Sequence, residues 1–162
     1  MELSTIDAID LQLLDLLQRD AAQSNQALAQ RVHVSAPTCL RRIKRLHTDG
    51  LIERQVALLQ PDRLAALQGH GLSAIVEVTL DRQGTEWLDG FEARAVAEDC
   101  VQQCWRVSPG PDFMLVVHTR DMPGYLALSQ RLFTDDANVR NVKAFFATRR
   151  AKFETKVPLA LS

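Results

Sequence analysis

Long apolar runs, a secretion signal and paired cysteines are all missing from this sequence of 162 residues. The longest apolar stretches span only a few residues, which excludes a transmembrane helix and a membrane partner. Residues 1–4 have neither the charged nor the apolar region of a signal peptide, so a cytoplasmic location is expected. Cys39, Cys100 and Cys104 are odd in number and lack disulfide-framework spacing, so reduced thiols are expected.

Motifs for catalysis, phosphate binding and metal binding are missing as well. The sequence has no glycine-rich phosphate loop, and His118 has no acid or nucleophile near it in the sequence. Cys100 and Cys104 together with His118 would lack the second ligand pair that a zinc site requires. We therefore expect neither an enzyme nor a bound metal or other cofactor.

Acidic residues are absent from one window, between Asp20 and Asp49, although the net charge of the chain is only −1. The basic residues of this window are Arg31, Arg41, Arg42, Lys44 and Arg45. A local basic block is what a surface that binds a polyanion needs. On charge alone, a solvated helix face without a partner is an equal alternative.

Three short helices are predicted within the first 50 residues. Ser4 and Asp7 have the spacing of a capping box at the start of a helix over about 5–20. A second helix is predicted to begin at Ser24 or Asn25, and a third at Ser35. Leu40, Ile43 and Leu46 have the spacing of a buried stripe on the third helix, which would turn Thr38, Arg41, Arg42 and Arg45 outward.

A strand is predicted from Leu51 to Leu59. Three helices followed by a strand are typical of a winged helix-turn-helix, in which the third helix enters the major groove. The basic block lies on that same helix, so double-stranded DNA is the expected partner. The predicted DNA-binding residues are Asn25, Ser35, Thr38, Arg41, Arg42, Lys44 and Arg45.

The second half of the chain alternates strands and helices in the order β-α-β-β-α-β. Strands are predicted over about 72–80, 100–107, 112–119 and 139–148, with helices after Gly84 and Asp121. This order is the ferredoxin-like pattern, and the fold class is therefore α+β. The predicted domains are the helix-turn-helix (1–52), a hinge strand and linker (53–70) and the ferredoxin-like domain (71–162).

The predicted sheet has apolar residues on both of its faces. In the run 113–117 both alternating sets are apolar, and Phe145 and Phe146 point to opposite sides. Because both helices cover the same face, the other face needs a second cover. Another copy of the chain is the simplest one, which predicts a two-fold dimer through the sheets.

These features together resemble one known family. The matching residues are Ile6-Asp7, Leu13-Leu14 and Leu17-Gln18 in the first helix, Ser24-Asn25, Leu28-Ala29 and Arg31-Val32 in the second, Leu40, Arg42-Ile43, Arg45-Leu46 and Gly50-Leu51-Ile52 around the third, Ala57-Leu58-Leu59 with Pro61 in the hinge, and Lys152 and Pro158-Leu159 in the tail. The ordered combination resembles the Lrp/AsnC ("feast or famine") transcription regulators over about residues 6–159.

The resemblance implies dimers joined through the sheets, often assembled into tetramers or octamers. It also implies a domain for regulation of amino-acid metabolism that binds a small-molecule effector between dimers, and control of metabolic genes, including the regulator's own. The effector-binding residues implied are Ser108, Gly110, Asp112, Val142 and Ala144.

Three departures from the family pattern bear on these expectations. His33 stands in the turn where glycine is usual, and the turn is expected to form at a modest cost. Pro109 stands where the effector loop has glycine, and Val142 and Ala144 stand where threonines are common. Fewer polar contacts would remain, so a more apolar effector, or none, stays an alternative to an ordinary amino acid.

Two classes of function therefore remain open. The first is a DNA-binding regulator with a sensor domain. The second is a ligand-binding or oligomerising protein whose helix-turn-helix contacts only proteins, including a variant that senses redox state through its cysteines. The acid-free window favours the first, because a helix for protein contacts has no need to exclude acids.

Overall fold

The computed structural model describes residues 5–69 and 71–160, and in it the chain forms two compact units. The N-terminal unit comprises the residues up to Leu58 together with the segment that begins at Lys152, and the C-terminal unit is Leu59–Ala151. None of the helices within the described ranges is long and apolar enough to cross a membrane.

Three helices make up most of the N-terminal unit: α1 (Ala8–Arg19), α2 (Asn25–Arg31) and α3 (Ala36–Thr48). Asp7 caps α1 in a reciprocal capping box with Asp10, while Ser4, the other predicted cap, lies outside the described residues. Ser24 and Ser35 accept hydrogen bonds from the backbone at the starts of α2 and α3. The predicted helix-turn-helix is confirmed.

The turns that end α2 and α3 share one geometry. His33 has a φ of 55° and Gly50 a φ of 73°, both in the left-handed region. After α2, the N–H of Val34 donates to the carbonyl of Ala29, and after α3, Leu51 donates to Leu46 in the same way. These bonds satisfy carbonyls that would otherwise be unpaired at the helix ends. The turn that carries His33 therefore forms as expected.

The core of the N-terminal unit is small and apolar except at one edge. Its buried residues are Leu13, Leu17, Leu28, Ala29, Val32, Cys39 and Leu46. The tail segment reaches this unit at α1, where the side-chain amide of Gln18 donates to the Val157 carbonyl at 3.0 Å and accepts from its N–H at 2.9 Å. The tail was assigned to the second domain from the sequence, but from Lys152 onward it belongs to the first unit.

The strand predicted from Leu51 to Leu59 does not form. Residues 53–60 have neither helix nor strand, and a helix, α4 (Pro61–Gln68), lies where only linker was expected. A strand requires a neighbour for its backbone hydrogen bonds. No strand among the described residues pairs with this segment, and Val56, Leu58 and Leu59 are exposed.

The C-terminal unit is the predicted β-α-β-β-α-β arrangement. Its strands are β1 (Leu72–Leu80), β2 (Val101–Arg106), β3 (Phe113–Thr119) and β4 (Val139–Phe146), and its helices are α5 (Thr85–Val96) and α6 (Met122–Ser129). The strands form an antiparallel sheet in the order β2-β3-β1-β4. The α+β class and the ferredoxin-like order are confirmed.

One face of this sheet packs against the helices. The buried core residues are Ala74, Val76, Val78, Leu80, Phe91, Ala95, Phe113, Leu115, Val117, Tyr125, Leu128, Leu132 and Phe133. The helix α6 continues into a π-helical turn, Gln130–Thr134, which brings Leu132 and Phe133 into the core. The sequence carried no signal for this turn.

The opposite face of the sheet, here called the open face, is partly apolar. The register pairs Ile75 with Phe145 and Trp105 with Met114, which places these side chains on the side away from the core. Ile75 is 45% exposed, Phe145 53% and Trp105 59%. Phe146 packs on the other side, edge-on to Tyr125, so the prediction that the two phenylalanines face opposite ways is confirmed.

Candidate functional site: the α3 surface and the effector loop

The outward face of α3 carries two exposed cations. Arg41 and Lys44 are exposed, and neither has an ion-pair partner among residues 5–69 and 71–160. Thr38, one turn towards the helix start, is half-buried. The three side chains lie on successive turns of the first two-thirds of α3, which suits a surface that meets a polyanion.

The buried stripe of α3 is rotated from its predicted position. Cys39 and Leu46 are fully buried and Ile43 is half-buried, whereas Leu40 is 45% exposed. The prediction that Leu40 belongs to the core is therefore wrong. Rotation by one residue moves Arg42 from the outward face towards α1.

Arg42 and Arg45 contact the carboxylates of Asp7, which caps α1, and of Asp10 within α1. The Nη1 atom of Arg42 donates to Asp7 Oδ2 at 2.7 Å and to Asp10 Oδ1 at 2.9 Å. Arg45 donates through Nη2 to Asp10 Oδ2. Asp10 is fully buried, and the Arg42 side chain is only 20% exposed. We call these four residues the carboxylate clasp. The expectation that Arg42 faces outward beside Arg41 is wrong, and Arg45 is only partly exposed.

Hydrogen bonding shifts the proton affinities in the clasp. The backbone N–H of Asp10 and then the Arg42 guanidinium lower the pKa of the Asp7 carboxyl below its ordinary value. The carboxylates of Asp10 and Asp7 in turn raise the pKa of Arg42. Both shifts favour the charged forms, so the ion pairs persist at neutral pH.

The start of α3 is fixed by polar side chains. The hydroxyl of Ser35 accepts from the Thr38 N–H at 3.4 Å and donates to the Thr38 hydroxyl at 2.9 Å. The Nδ2 of Asn25 donates to the Ala36 carbonyl at 2.8 Å, which ties the first turn of α2 to that of α3. These predicted DNA-binding residues therefore lie together at one end of α3.

The loop between β2 and β3 contains three of the predicted effector residues. The Asp112 carboxylate accepts from the Leu80 N–H at 2.7 Å. The backbone N–H of Asp112 donates to the Val78 carbonyl at 2.9 Å. Ser108 and Gly110 are exposed, and Gly110 has a φ of 129° that favours glycine. Asp112 thus holds the loop against the end of β1.

The other two predicted effector residues lie on β4. Val142 pairs with Val78 and Ala144 with Val76, so both point towards the helices, where they pack against the core. Val142 also lines a shallow cavity of about 200 Å³ together with Ser129, Phe133, Thr134, Val139, Arg140 and Asn141. Asp112 and Val142 therefore flank the same end of β1.

The cysteines have the environment of structural thiols. Cys39 is buried, Cys100 and Cys104 are half-buried, and desolvation raises the pKa of all three. A raised pKa lowers the thiolate fraction on which cysteine reactivity depends. Within the described ranges, no group of three or more histidine, cysteine or acidic residues is arranged to hold a metal ion.

Both units match family models. Residues 6–47 match the AsnC-type helix-turn-helix domain, and residues 73–157 match the Lrp/AsnC ligand binding domain. The second match alone covers more than half of the chain.

Similar proteins include two that are named as regulators of transcription. The DNA-binding transcriptional activator DecR of Escherichia coli strain K12 is 33% identical over 95% of this chain and 99% of its own length. The Bkd operon transcriptional regulator of Pseudomonas aeruginosa is 31% identical over 97% of this chain and 100% of its own length.

Similar solved structures include regulators of the same kind. An AsnC family transcriptional regulator from Agrobacterium tumefaciens has a TM-score of 0.82 at 29% identity, over 94% of this chain and 97% of that one. A Neisseria meningitidis transcriptional regulator in complex with L-Met has a TM-score of 0.83 at 26% identity, over 96% and 98%. The two domains, their order and these matches over nearly the whole chain lead to one conclusion: the protein belongs to the Lrp/AsnC family of transcriptional regulators.

Proposed function

We propose that this regulator binds double-stranded DNA as a symmetric dimer, with α3 of each copy in the major groove and Thr38, Arg41 and Lys44 in contact with the DNA. The observation that carries this proposal is the exposure of Arg41 and Lys44 on α3 without a neutralising partner in the described parts of the chain. We expect Arg41 to reach a guanine edge, the commonest specific arginine contact, and Lys44 to bind a phosphate.

The start of α3 has a supporting role in this proposal. Ser35 caps the helix and Asn25 connects it to α2, so both hold the first turn of α3 in place. The free backbone N–H groups of a helix N-terminus attract phosphate. We expect Asn25 and Ser35 to orient this turn against the DNA backbone and to contribute less to the choice of sequence than Arg41.

The test is a mobility-shift titration on DNA from upstream of the protein's own gene, which also tests autoregulation. Affinity should fall steeply with salt, by a log-log slope of about −0.9 for each phosphate contact. Lys44→Gln should flatten that slope by about 0.9 per protomer on every sequence. Arg41→Gln should instead reduce discrimination between specific and random duplexes.

Arg120→Gln is the matched control, because Arg120 is an exposed arginine of the other unit. Its DNA affinity and salt slope should equal those of the wild type. If Arg41→Gln and Lys44→Gln also left both unchanged while the protein still shifted DNA, another surface would make the contacts.

The open face is the proposed dimer interface. Ile75, Trp105 and Phe145 are exposed side by side with Met114 and Val116, opposite the helices. An apolar surface of this kind favours pairing with a second copy. A dimer also presents two α3 helices to half-sites one DNA turn apart. Tetramers or octamers would then form from such dimers.

Sedimentation velocity tests the interface. Ile75→Asp should shift the protein towards monomer, because a carboxylate would be buried among apolar side chains. Val96→Asp is the control, since Val96 is 67% exposed on α5, on the helix side of the sheet. If both variants kept the wild-type mass, the dimer would use another surface.

We also infer a small-molecule effector, in the class of amino acids or related compounds. The ligand binding domain of the family covers residues 73–157, and a similar regulator was crystallised with L-Met. Ser108, Gly110, Asp112 and Val142 lie near one end of β1, and Ala144 lies two residues further along β4. An effector bound there between dimers would change DNA affinity by about 5–150-fold.

Asp112→Asn tests this role. Asparagine keeps an oxygen that can accept from the Leu80 N–H but loses the charge that would bind an ammonium group. We expect wild-type stability, with loss of the mobility-shift response to an amino-acid pool. Asp112→Ala should lose stability as well, by about 1–3 kcal/mol. An unchanged response in both variants would place the effector elsewhere.

A further inference from the structure

The carboxylate clasp divides the basic residues of α3 into two pairs. Asp7 and Asp10 carry two negative charges and Arg42 and Arg45 carry two positive ones, so the clasp is neutral as a unit. Arg41 and Lys44, on the outward face, have no such counter-charge in the described residues. Only half of the positive charge that α3 carries between residues 41 and 45 is therefore available to a polyanion.

The arginines of the clasp are held by more than one contact. The Nη1 atom of Arg42 donates to both carboxylates. The Asp10 carboxylate accepts from both arginines, and it also accepts from the backbone N–H of Asp7 at 3.1 Å. The Nε atoms of Arg42 and Arg45 are buried too, without a hydrogen-bond partner in the described part of the chain. The inner edge of each guanidinium thus faces the interior of the unit.

Burial of Asp10 makes the clasp difficult to open. A carboxylate without water is stable only while cations and donors compensate it, and breaking a buried pair leaves an uncompensated charge. If Arg42 or Arg45 turned to a DNA phosphate, Asp10 would keep only one of its two cations. Arg41 and Lys44 face no such penalty, because solvent surrounds them.

We propose that Asp7 and Asp10 are positioning residues for DNA specificity: they keep Arg42 and Arg45 away from the phosphates, in the free and in the DNA-bound protein, and fix α3 against α1. This inference rests on the proposed contact between α3 and DNA. Phosphate contacts carry no direct sequence information. By limiting the cations that reach phosphates, the clasp lowers binding to random DNA and leaves recognition to the outward residues.

Asp7→Asn tests the clasp with little risk to folding. Asparagine caps helices as well as aspartate does, and Asp7 is half-exposed. Loss of its charge leaves one carboxylate against two arginines, so the clasp gains a net charge of +1 that acts on DNA while both arginines stay on Asp10. The salt slope on random duplex should steepen by about 0.9 per protomer, and the ratio of specific to random affinity should fall.

Asp15→Asn is the matched control, because it removes one acid from the same helix and breaks its ion pair with Arg19. Its salt slope should stay close to that of the wild type. Equal steepening in Asp7→Asn and Asp15→Asn would mean that only net charge matters, and would overturn the proposal.

Arg42→Gln and Lys44→Gln provide a second, opposite comparison. The clasp predicts that Arg42→Gln lowers the melting temperature and leaves the salt slope unchanged, whereas Lys44→Gln flattens the slope by about 0.9 per protomer and leaves melting unchanged. If Arg42→Gln flattened the slope as much as Lys44→Gln, the clasp would open on DNA and the proposal would be wrong. If Arg41→Gln and Lys44→Gln had no effect, the contact between α3 and DNA would itself be wrong.

Discussion

The two units of this protein hold their helices by different forces. In the C-terminal unit, α5 and α6 pack on the sheet through a large apolar core, and within the described ranges Thr119 is the one buried polar residue of this unit. In the N-terminal unit the apolar core is smaller, and a buried carboxylate with two arginines joins α1 to α3. Apolar packing is non-directional, whereas an ion pair fixes particular atoms against each other. In the proposed contact of α3 with DNA, the second kind of contact would hold the helix in one orientation.

The largest expected effect is on the N-terminal unit. Asp10→Ala leaves Arg42 and Arg45 without their buried partner, which should cost about 3–5 kcal/mol in the free energy of unfolding. Hydrogen exchange should show faster exchange in α1 and α3 and unchanged exchange in the sheet. The control Glu53→Ala, at an 87% exposed side chain, should change the unfolding free energy by less than about 0.5 kcal/mol. Wild-type exchange in Asp10→Ala would mean that apolar contacts alone hold this unit.

A core truncation gives the corresponding result for the C-terminal unit. Leu128 is fully buried on α6, and Leu128→Ala should cost about 2–5 kcal/mol through lost burial and a cavity. Leu126→Ala, at a side chain that is 59% exposed on the same helix, should have little effect. Urea denaturation followed by far-UV circular dichroism measures the free energy of unfolding of both variants. Similar losses in the two variants would contradict the assigned orientation of α6.

A smaller effect is expected at the turn between α2 and α3. His33 adopts a left-handed conformation that costs a non-glycine residue about 1–2 kcal/mol. Glycine removes that strain but loses about 0.5–1 kcal/mol through the greater freedom of its unfolded chain. His33→Gly should therefore stabilise the N-terminal unit by about 0.5–1 kcal/mol in the same denaturation experiment. A loss of stability would indicate that the His33 side chain makes a favourable contact.

The smallest effect concerns acid. The folded-state pKa of Asp7 lies below its ordinary value of 3.8, so the stabilisation from Asp7 is complete above that pH and is lost as the pH falls through the folded pKa. The difference in unfolding free energy between wild type and Asp7→Asn should thus narrow below about pH 3.8. A difference that stays constant in acid would show that Asp7 contributes nothing through its charge.

The sequence predicted the C-terminal unit well because its patterns are local. β1 was predicted with the bounds that it has, and the helix predicted after Asp121 forms and buries Tyr125 and Leu128. Alternation and helical spacing are visible within a few residues. The bond between Asp112 and the Leu80 N–H was not predicted, because it depends on a pairing of distant strands.

The sequence predicted α3 less well, and the reason is geometric. Two sets of residues on α3 have helical spacing: Leu40, Ile43 and Leu46 form one, and Cys39, Arg42 and Leu46 form the other. Spacing alone therefore does not determine which set faces inward. The deciding contact is with Asp10, which lies 32 residues before Arg42. The prediction of a strand over 51–59 was wrong for a related reason: a strand depends on a neighbouring strand, which its own sequence does not reveal.

The position of Trp105 provides an intrinsic fluorescence probe of the open face. Its indole lies on the open face, 59% exposed, and hydrogen-bonds through Nε1 to Gln103 at 3.1 Å. The helices α1 to α3 contain no tryptophan, tyrosine or phenylalanine, and both tryptophans, Trp87 and Trp105, belong to the C-terminal unit. In the proposed dimer the indole would lose contact with water, and its emission would shift to shorter wavelength. Formation of that dimer could therefore be followed by intrinsic fluorescence without a label.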